Sequence, residues 1–143
     1  MKNIELFNLG VASILGRCYE SFPVPIEVSS GSIATEVERK ITGHPWALVD
    51  SYSEEQKIAD STISWLIDSG YIKGERKERI DAYDNVVLTP MGLIALNSMP
   101  ESLKEPSITI GDKLINFSGD CAISVLSDLA KVAIGEGAKL LMG

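Results

Sequence analysis

The sequence predicts a mainly helical α+β fold for this chain of 143 residues. Apolar residues recur at steps of three and four over most of its length, which is the spacing of one face of an α-helix. Three short segments, residues 26–28, 71–73 and 85–89, are predicted to be strands from their alternation or β-branched content, and residues 107–117 are ambiguous between strand and helix. Apolar residues make up 45% of the chain and charged residues 23%, so the composition is that of an ordered globular protein.

The first half of the chain contains two predicted helices with a short strand between them. The first helix covers residues 3–20 and ends before the prolines of "SFPVPIEVSS", in which residues 26–28 suit an edge strand. The second helix covers residues 32–42, with Ser30 and Ser32 as candidate N-caps.

A third helix and a hairpin are predicted next. The helix opens at Ser53, which begins a capping-box pattern, and it runs to Ser69 before a glycine. Residues 71–73 and 85–89 then predict two strands joined by a long charged loop at residues 74–84.

The remaining segments are predicted to be helical, apart from one linker and one ambiguous stretch. The sequence "TPMGLIALNSM" places a threonine cap and a first-turn proline at the start of a fourth helix. Residues 101–105 are polar and lie between two prolines, as linkers do. Residues 107–117 suit a strand or a helix, and a final helix covers about residues 120–142 with Ser118 as its N-cap.

The final helix carries an apolar arc wider than the single stripe of an ordinary surface helix. A domain at residues 1–100 with its own core would cover only part of that arc, so the helical extension at residues 101–143 is predicted to form a two-fold dimer. The predicted interface comprises Ile123, Leu126, Leu129, Ala130, Ala133, Ile134, Leu140 and Leu141. The alternative is that the helix folds back over the first helix of its own chain and the protein is a monomer.

The order helix, short strand, helix, helix, hairpin, helix is that of winged-helix domains, a variant of the helix-turn-helix. The segment "TISWLIDSGYI" followed by "VVLTPMGLIAL" resembles the third helix, wing and following helix of winged-helix proteins of the MarR and PadR type. The resemblance covers residues 54–98 by sequence and residues 3–50 by the order of elements. It implies a winged helix-turn-helix with a C-terminal helical extension, acting as a dimeric, DNA-binding regulator of transcription.

Two groups of side chains are candidates for contacting DNA in such a fold. Three lie opposite the apolar face of the third helix and would point toward the major groove. Four cations in and beside the loop of the hairpin would contact phosphates or enter the minor groove. The candidate DNA-binding residues are therefore Lys57, Ser61, Ser64, Lys73, Arg76, Lys77 and Arg79.

The charge of the chain favours a different partner. A formal net charge of -7 opposes binding to phosphates, and the third helix carries Glu54, Asp60 and Asp68 beside its candidate residues. Acidic residues also balance the four cations of the hairpin, because residues 73–84 include four acids. The alternative function is a protein–protein interaction module of the same fold that binds no nucleic acid.

No motif predicts an enzyme, a cofactor or a metal site. The two cysteines, Cys18 and Cys121, lie far apart on apolar helical faces and are expected to be small buried hydrophobes in a reducing cytoplasm. His44 is the only histidine and is predicted to be a loop residue. Charges interrupt the apolar residues 121–142, and an acid at Glu5 interrupts the N-terminus, so neither a membrane span nor a signal peptide is predicted.

Overall fold

The computed structural model describes residues 1–78, 81–99 and 108–142, and it confirms a mainly helical α+β fold. Within these residues the elements in chain order are α1 (Asn3–Ser21), β1 (Ile26–Ser29), α2 (Ser30–Thr42), α3 (Glu54–Asp68), β2 (Ile72–Arg76), β3 (Ala82–Leu88), α4 (Pro90–Asn97), α5 (Ile110–Leu114) and α6 (Ile123–Met142). The predicted linker at residues 101–105 lies outside the described residues. In the described part of the chain, no helix is long and apolar enough to cross a membrane.

The three strands form an antiparallel sheet in the order β1-β3-β2. Pairing of Glu75 with Asp84 and of Arg76 with Tyr83 carries the hairpin well past the predicted strand ends. The predicted loop at residues 74–84 is therefore too long, because β2 continues to Arg76 and β3 begins at Ala82. The sequence pattern missed these ladder residues because Glu75, Arg76 and Asp84 are charged, so no alternation of apolar residues marks the strands there.

Two of the predicted helix caps, Ser53 and Thr89, are confirmed. The Ser53 hydroxyl accepts a hydrogen bond from the Gln56 amide at 3.2 Å, and Thr89 caps α4 in the same way. At the start of α2 the prediction of Ser30 or Ser32 was wrong. Ser29 is the cap, because β1 runs directly into the helix and leaves the Ser29 backbone extended.

The segment before α6 also differs from the sequence prediction. Residues 110–114 are helical, which resolves the ambiguity in favour of a short helix, and Thr109 and Asp112 form its capping box. Turns follow at residues 115–120, and they bury the Phe117 side chain. The final helix therefore begins at Ile123, and the predicted start near residue 120 with Ser118 as the cap was wrong.

The inner face of α6 packs within its own chain. Leu126, Leu129, Ala130 and Ala133, all predicted to lie in a dimer interface, are buried in one core with α1, α4 and α5. The sequence prediction for these four residues is corrected accordingly, since α1 and its neighbours already cover them. Ile123 and Ile134 pack partly against the same core, while Leu140 and Leu141 are exposed.

Candidate functional site

Helix α3 presents the outer face that the sequence predicts. Ala59, Ile63 and Leu66 are buried against the core, whereas Lys57 and Ser61 are exposed on the opposite side and Ser64 is half-buried. The Lys57 ammonium lies 3.2 Å from the Glu54 carboxylate one turn earlier. Two of the three residues predicted to contact the major groove are therefore exposed, and the lysine among them is paired with an acid of the same helix.

Arg76 joins the hairpin to α3 through Asp60. The two terminal guanidinium nitrogens of Arg76 lie 3.3 and 2.9 Å from the two carboxylate oxygens of Asp60, a two-pronged contact. The guanidinium also lies 4.8 Å from the centre of the Tyr83 ring and donates to the Tyr83 hydroxyl. The hydrogen bond to Asp60 holds the pKa of Arg76 above its usual value. This guanidinium thus joins the β2–β3 hairpin to α3.

Tyr83 on β3 contributes to the Arg76–Asp60 contact through a hydrogen bond to Asp60. Its side chain is buried, and its hydroxyl lies 3.2 Å from a carboxylate oxygen of Asp60. Burial, together with the negative charge of Asp60, raises the pKa of Tyr83 to about 12. The phenol is therefore protonated at neutral pH and can donate a hydrogen bond to Asp60.

Lys77 is neutralised by two carboxylates. Its ammonium lies 2.5 Å from Glu27 on β1 and 3.3 Å from Asp84 on β3. Hydrogen bonds to these two acids raise the pKa of Lys77. Lys73 is exposed and has no ion pair within the described ranges, and Arg79 lies outside them. The structure therefore pairs two of the predicted cations, Arg76 and Lys77, with acids of the same chain.

The groove between α3 and the β2–β3 hairpin is lined by acids. A cleft of about 510 Å³ lies there, and Asp60, Glu78 and Asp81 contribute carboxylates to it against the single ammonium of Lys57. A nucleic-acid phosphate that entered this groove would approach these carboxylates. Like charges at short range oppose that approach.

An exposed apolar surface adjoins the predicted outer face of α3, since Lys57 and Ser61 also line it, and it was not predicted as a site. The Trp65 ring is 41% exposed, meets the Phe7 ring edge-on at 5.3 Å between centres, and stacks on Tyr71 at 6.0 Å. Ile4, which the helical spacing placed on the apolar face of α1, is 59% exposed beside it. Ile4, Phe7, Ile58 and Trp65 line a shallow cleft of about 550 Å³, which we call the Trp65 surface. The feature of the sequence that could have indicated this surface was the position of Trp65 at the edge of the apolar face of α3.

Cys18, Cys121 and His44 carry side chains that are often used in catalysis, and within the described part of the chain they are not grouped into a catalytic site. Burial raises the pKa of the Cys18 thiol to about 12, which suppresses the reactive thiolate. Cys121 is half-buried and unpaired, and His44 lies on the exposed loop beside Trp46. Among the described residues, no group of three or more histidine, cysteine or acidic side chains is placed to hold a metal ion.

Comparisons with known proteins identify no relative. No protein-family model, no curated protein and no solved structure matches the chain. Any function must therefore be inferred from the geometry described above.

Proposed function

We propose that residues 1–99 form a winged helix. The element order α1, β1, α2, α3, β2, β3 supports this assignment, as does the antiparallel pairing of β1 with the β2–β3 hairpin. In this assignment α3 occupies the place of the recognition helix and the hairpin is the wing. Two free cysteines are typical of a reducing compartment, which supports a cytoplasmic location.

We further propose that this winged helix is a protein-interaction module. The observation that carries the proposal is the pairing of the wing cations Arg76 and Lys77 with Asp60, Glu27 and Asp84 of the same chain. A phosphate would have to displace these carboxylates, and the surface around Lys77 already contains an excess of acids, since Glu27, Glu78, Asp81 and Asp84 surround it. The formal net charge of -7 adds a long-range repulsion of nucleic acid.

The Trp65 surface has the properties of a protein-binding site. Partly exposed tryptophan is among the side chains that contribute most to protein interfaces, because it removes a large area from water with few rotatable bonds. The charged side chain in its lining is that of Lys57, which is paired with Glu54. The complementary partner is a protein segment that presents apolar side chains to this surface.

Replacing Trp65 with alanine is expected to weaken capture of that partner at least tenfold, the scale of a central interface residue. The measurement is quantitative mass spectrometry of proteins retained by the immobilised full chain from a lysate of its source cells. Because Trp65 also contacts Phe7 and Tyr71, Ile4→Lys is tested in parallel, since Ile4 is exposed and its replacement leaves those ring contacts intact. Circular dichroism confirms that each variant is folded.

The matched control is Trp46→Ala, which removes a ring that is 74% exposed on the loop before α3. It should retain the partner at the wild-type level. If Trp65→Ala and Ile4→Lys retain the same proteins as the wild type, the Trp65 surface is not the binding site and the proposal is wrong.

A DNA-binding regulator acting as a dimer is the second candidate. It is favoured by the exposure of Lys57, Ser61 and Lys73 on the side of the molecule formed by α3 and the wing. If it is correct, mixed-sequence duplex DNA at low salt should bind with an affinity that falls steeply as salt rises. Asp60→Asn should then strengthen binding, because it removes the carboxylate that pairs with Arg76. Lys73→Gln should weaken it, and fluorescence anisotropy of labelled duplex measures both. Absence of binding by wild type and Asp60→Asn alike would exclude this candidate.

A further inference from the structure

A second cleft lies on the opposite side of α2 from the candidate site, and nothing in the proposed function uses it. Its volume is about 890 Å³, and it is bounded by α1, α2 and residues 118–123 at the start of α6. We call it the basic cleft, because Arg17, Arg39 and Lys40 line it with only one carboxylate, that of Glu36. Two positive charges therefore remain uncompensated in a cleft of an acidic protein.

Arg17 and Glu36 form the fixed wall of the basic cleft. Arg17 pairs with the Glu36 carboxylate and donates a second hydrogen bond to the Ser32 hydroxyl at 3.0 Å. Both side chains are partly buried. Their pairing removes the one negative charge of the lining and leaves Arg39 and Lys40 to determine the sign of the cleft.

Arg39 and Lys40 are bound only to neutral backbone oxygens. The Nε of Arg39 donates to the carbonyl of Ala47 at 2.9 Å, and the ammonium of Lys40 donates to the carbonyl of Gly119 at 2.6 Å. Neither has a carboxylate within 4.0 Å in residues 1–78, 81–99 and 108–142. These bonds orient both cations without neutralising their charge. The terminal nitrogens of Arg39 are also left available to a ligand.

We propose that the basic cleft binds a small organic anion that carries a carboxylate or phosphate group. The forked terminal nitrogens of Arg39 suit two oxygens of such a group, and Lys40 adds a point charge beside them. Pro45, Ala122 and Ile123 supply apolar wall for the remainder of the molecule. The volume is that of sites for small metabolites and exceeds what a bare phosphate fills.

The proposal is tested by NMR titration of the ¹⁵N-labelled full chain with inorganic phosphate and, separately, with phthalate, an aromatic dicarboxylate. Sodium chloride keeps the ionic strength constant. Amide shifts at residues 31–44 and 118–123 are expected with at least one probe. Shifts with phosphate alone assign the site to a phosphoryl group, and shifts with phthalate alone assign it to a carboxylate.

Arg39→Gln and Lys40→Gln should each weaken binding about tenfold, since each removes a charge-assisted hydrogen bond. The control is Lys131→Gln, which removes an exposed charge of α6 that does not line the cleft. It should leave the affinity unchanged. The proposal is overturned if neither probe shifts these amides, or if Lys131→Gln weakens binding as much as Lys40→Gln, because attraction would then depend only on the overall charge.

Discussion

Replacing Leu126 with alanine is expected to lower the free energy of unfolding by about 2–5 kcal/mol, the range for a leucine removed from a packed core. Leu126 is fully buried in α6, in the core that this helix shares with α1, α4 and α5. Truncation leaves a cavity that rigid helices on three sides can fill only in part. Urea unfolding followed by circular dichroism measures the loss.

The control for this prediction is Leu141→Ala in the same helix, since Leu141 is 69% exposed and its truncation should change stability by less than about 0.5 kcal/mol. Both variants are measured at two protein concentrations about tenfold apart. An effect of Leu126→Ala that does not depend on concentration shows that α6 stabilises its own chain. A negligible effect, or one seen only at the higher concentration, would mean that α6 packs on a second copy instead.

Two glycines of α6 are expected to respond to alanine with opposite signs, although they are two residues apart. A Cβ at Gly137 would lie 2.2 Å from Cε1 of Tyr71. That ring cannot move aside freely, because it stacks on Trp65 and its hydroxyl donates to the carbonyl of Ile134 at 2.6 Å. Gly137→Ala should therefore cost about 1–3 kcal/mol, as overpacking does.

Gly135→Ala is the matched substitution, because a Cβ there meets nothing within 4 Å. It should stabilise the protein by up to about 1 kcal/mol, since alanine is the better helix former. Thermal unfolding of both variants tests the pair. Stabilisation by both substitutions would contradict the close packing of α6 on Tyr71.

A homodimer stays a prediction, and the structure narrows where its interface would lie. Leu126, Leu129, Ala130 and Ala133 are already used by the core, so a second copy would have to contact the exposed Leu140 and Leu141. Gly137 packs on Tyr71, and Tyr71 stacks on Trp65. Leu140 and Leu141 follow Gly137 by about one helical turn. The exposed end of α6 therefore lies close to the Trp65 surface.

Local features of this protein follow from the sequence because they involve neighbouring residues. Ser53 caps α3 three residues from its donor, and Thr89 with Pro90 opens α4, so each signal lies within one turn of its effect. The amphipathic spacing of α3 likewise determines which side chains are buried and which face outward. The helix–strand order and the mainly helical α+β class could be predicted for the same reason.

The properties of the candidate sites depend on contacts between distant segments, and only the tertiary structure decided them. The sequence predicted the wing cations, but Lys77 meets Glu27 across 50 positions and Arg76 meets Asp60 across 16. Lys40 reaches Gly119 across 79 positions to close the basic cleft. The wide apolar arc of α6 shows that other residues must cover this helix, but it does not show which residues do so. The hydrophobic effect is non-directional, so a second copy or α1 could bury the same arc equally well. In the structure, residues 108–122 lead the chain into α6 so that this helix packs on α1.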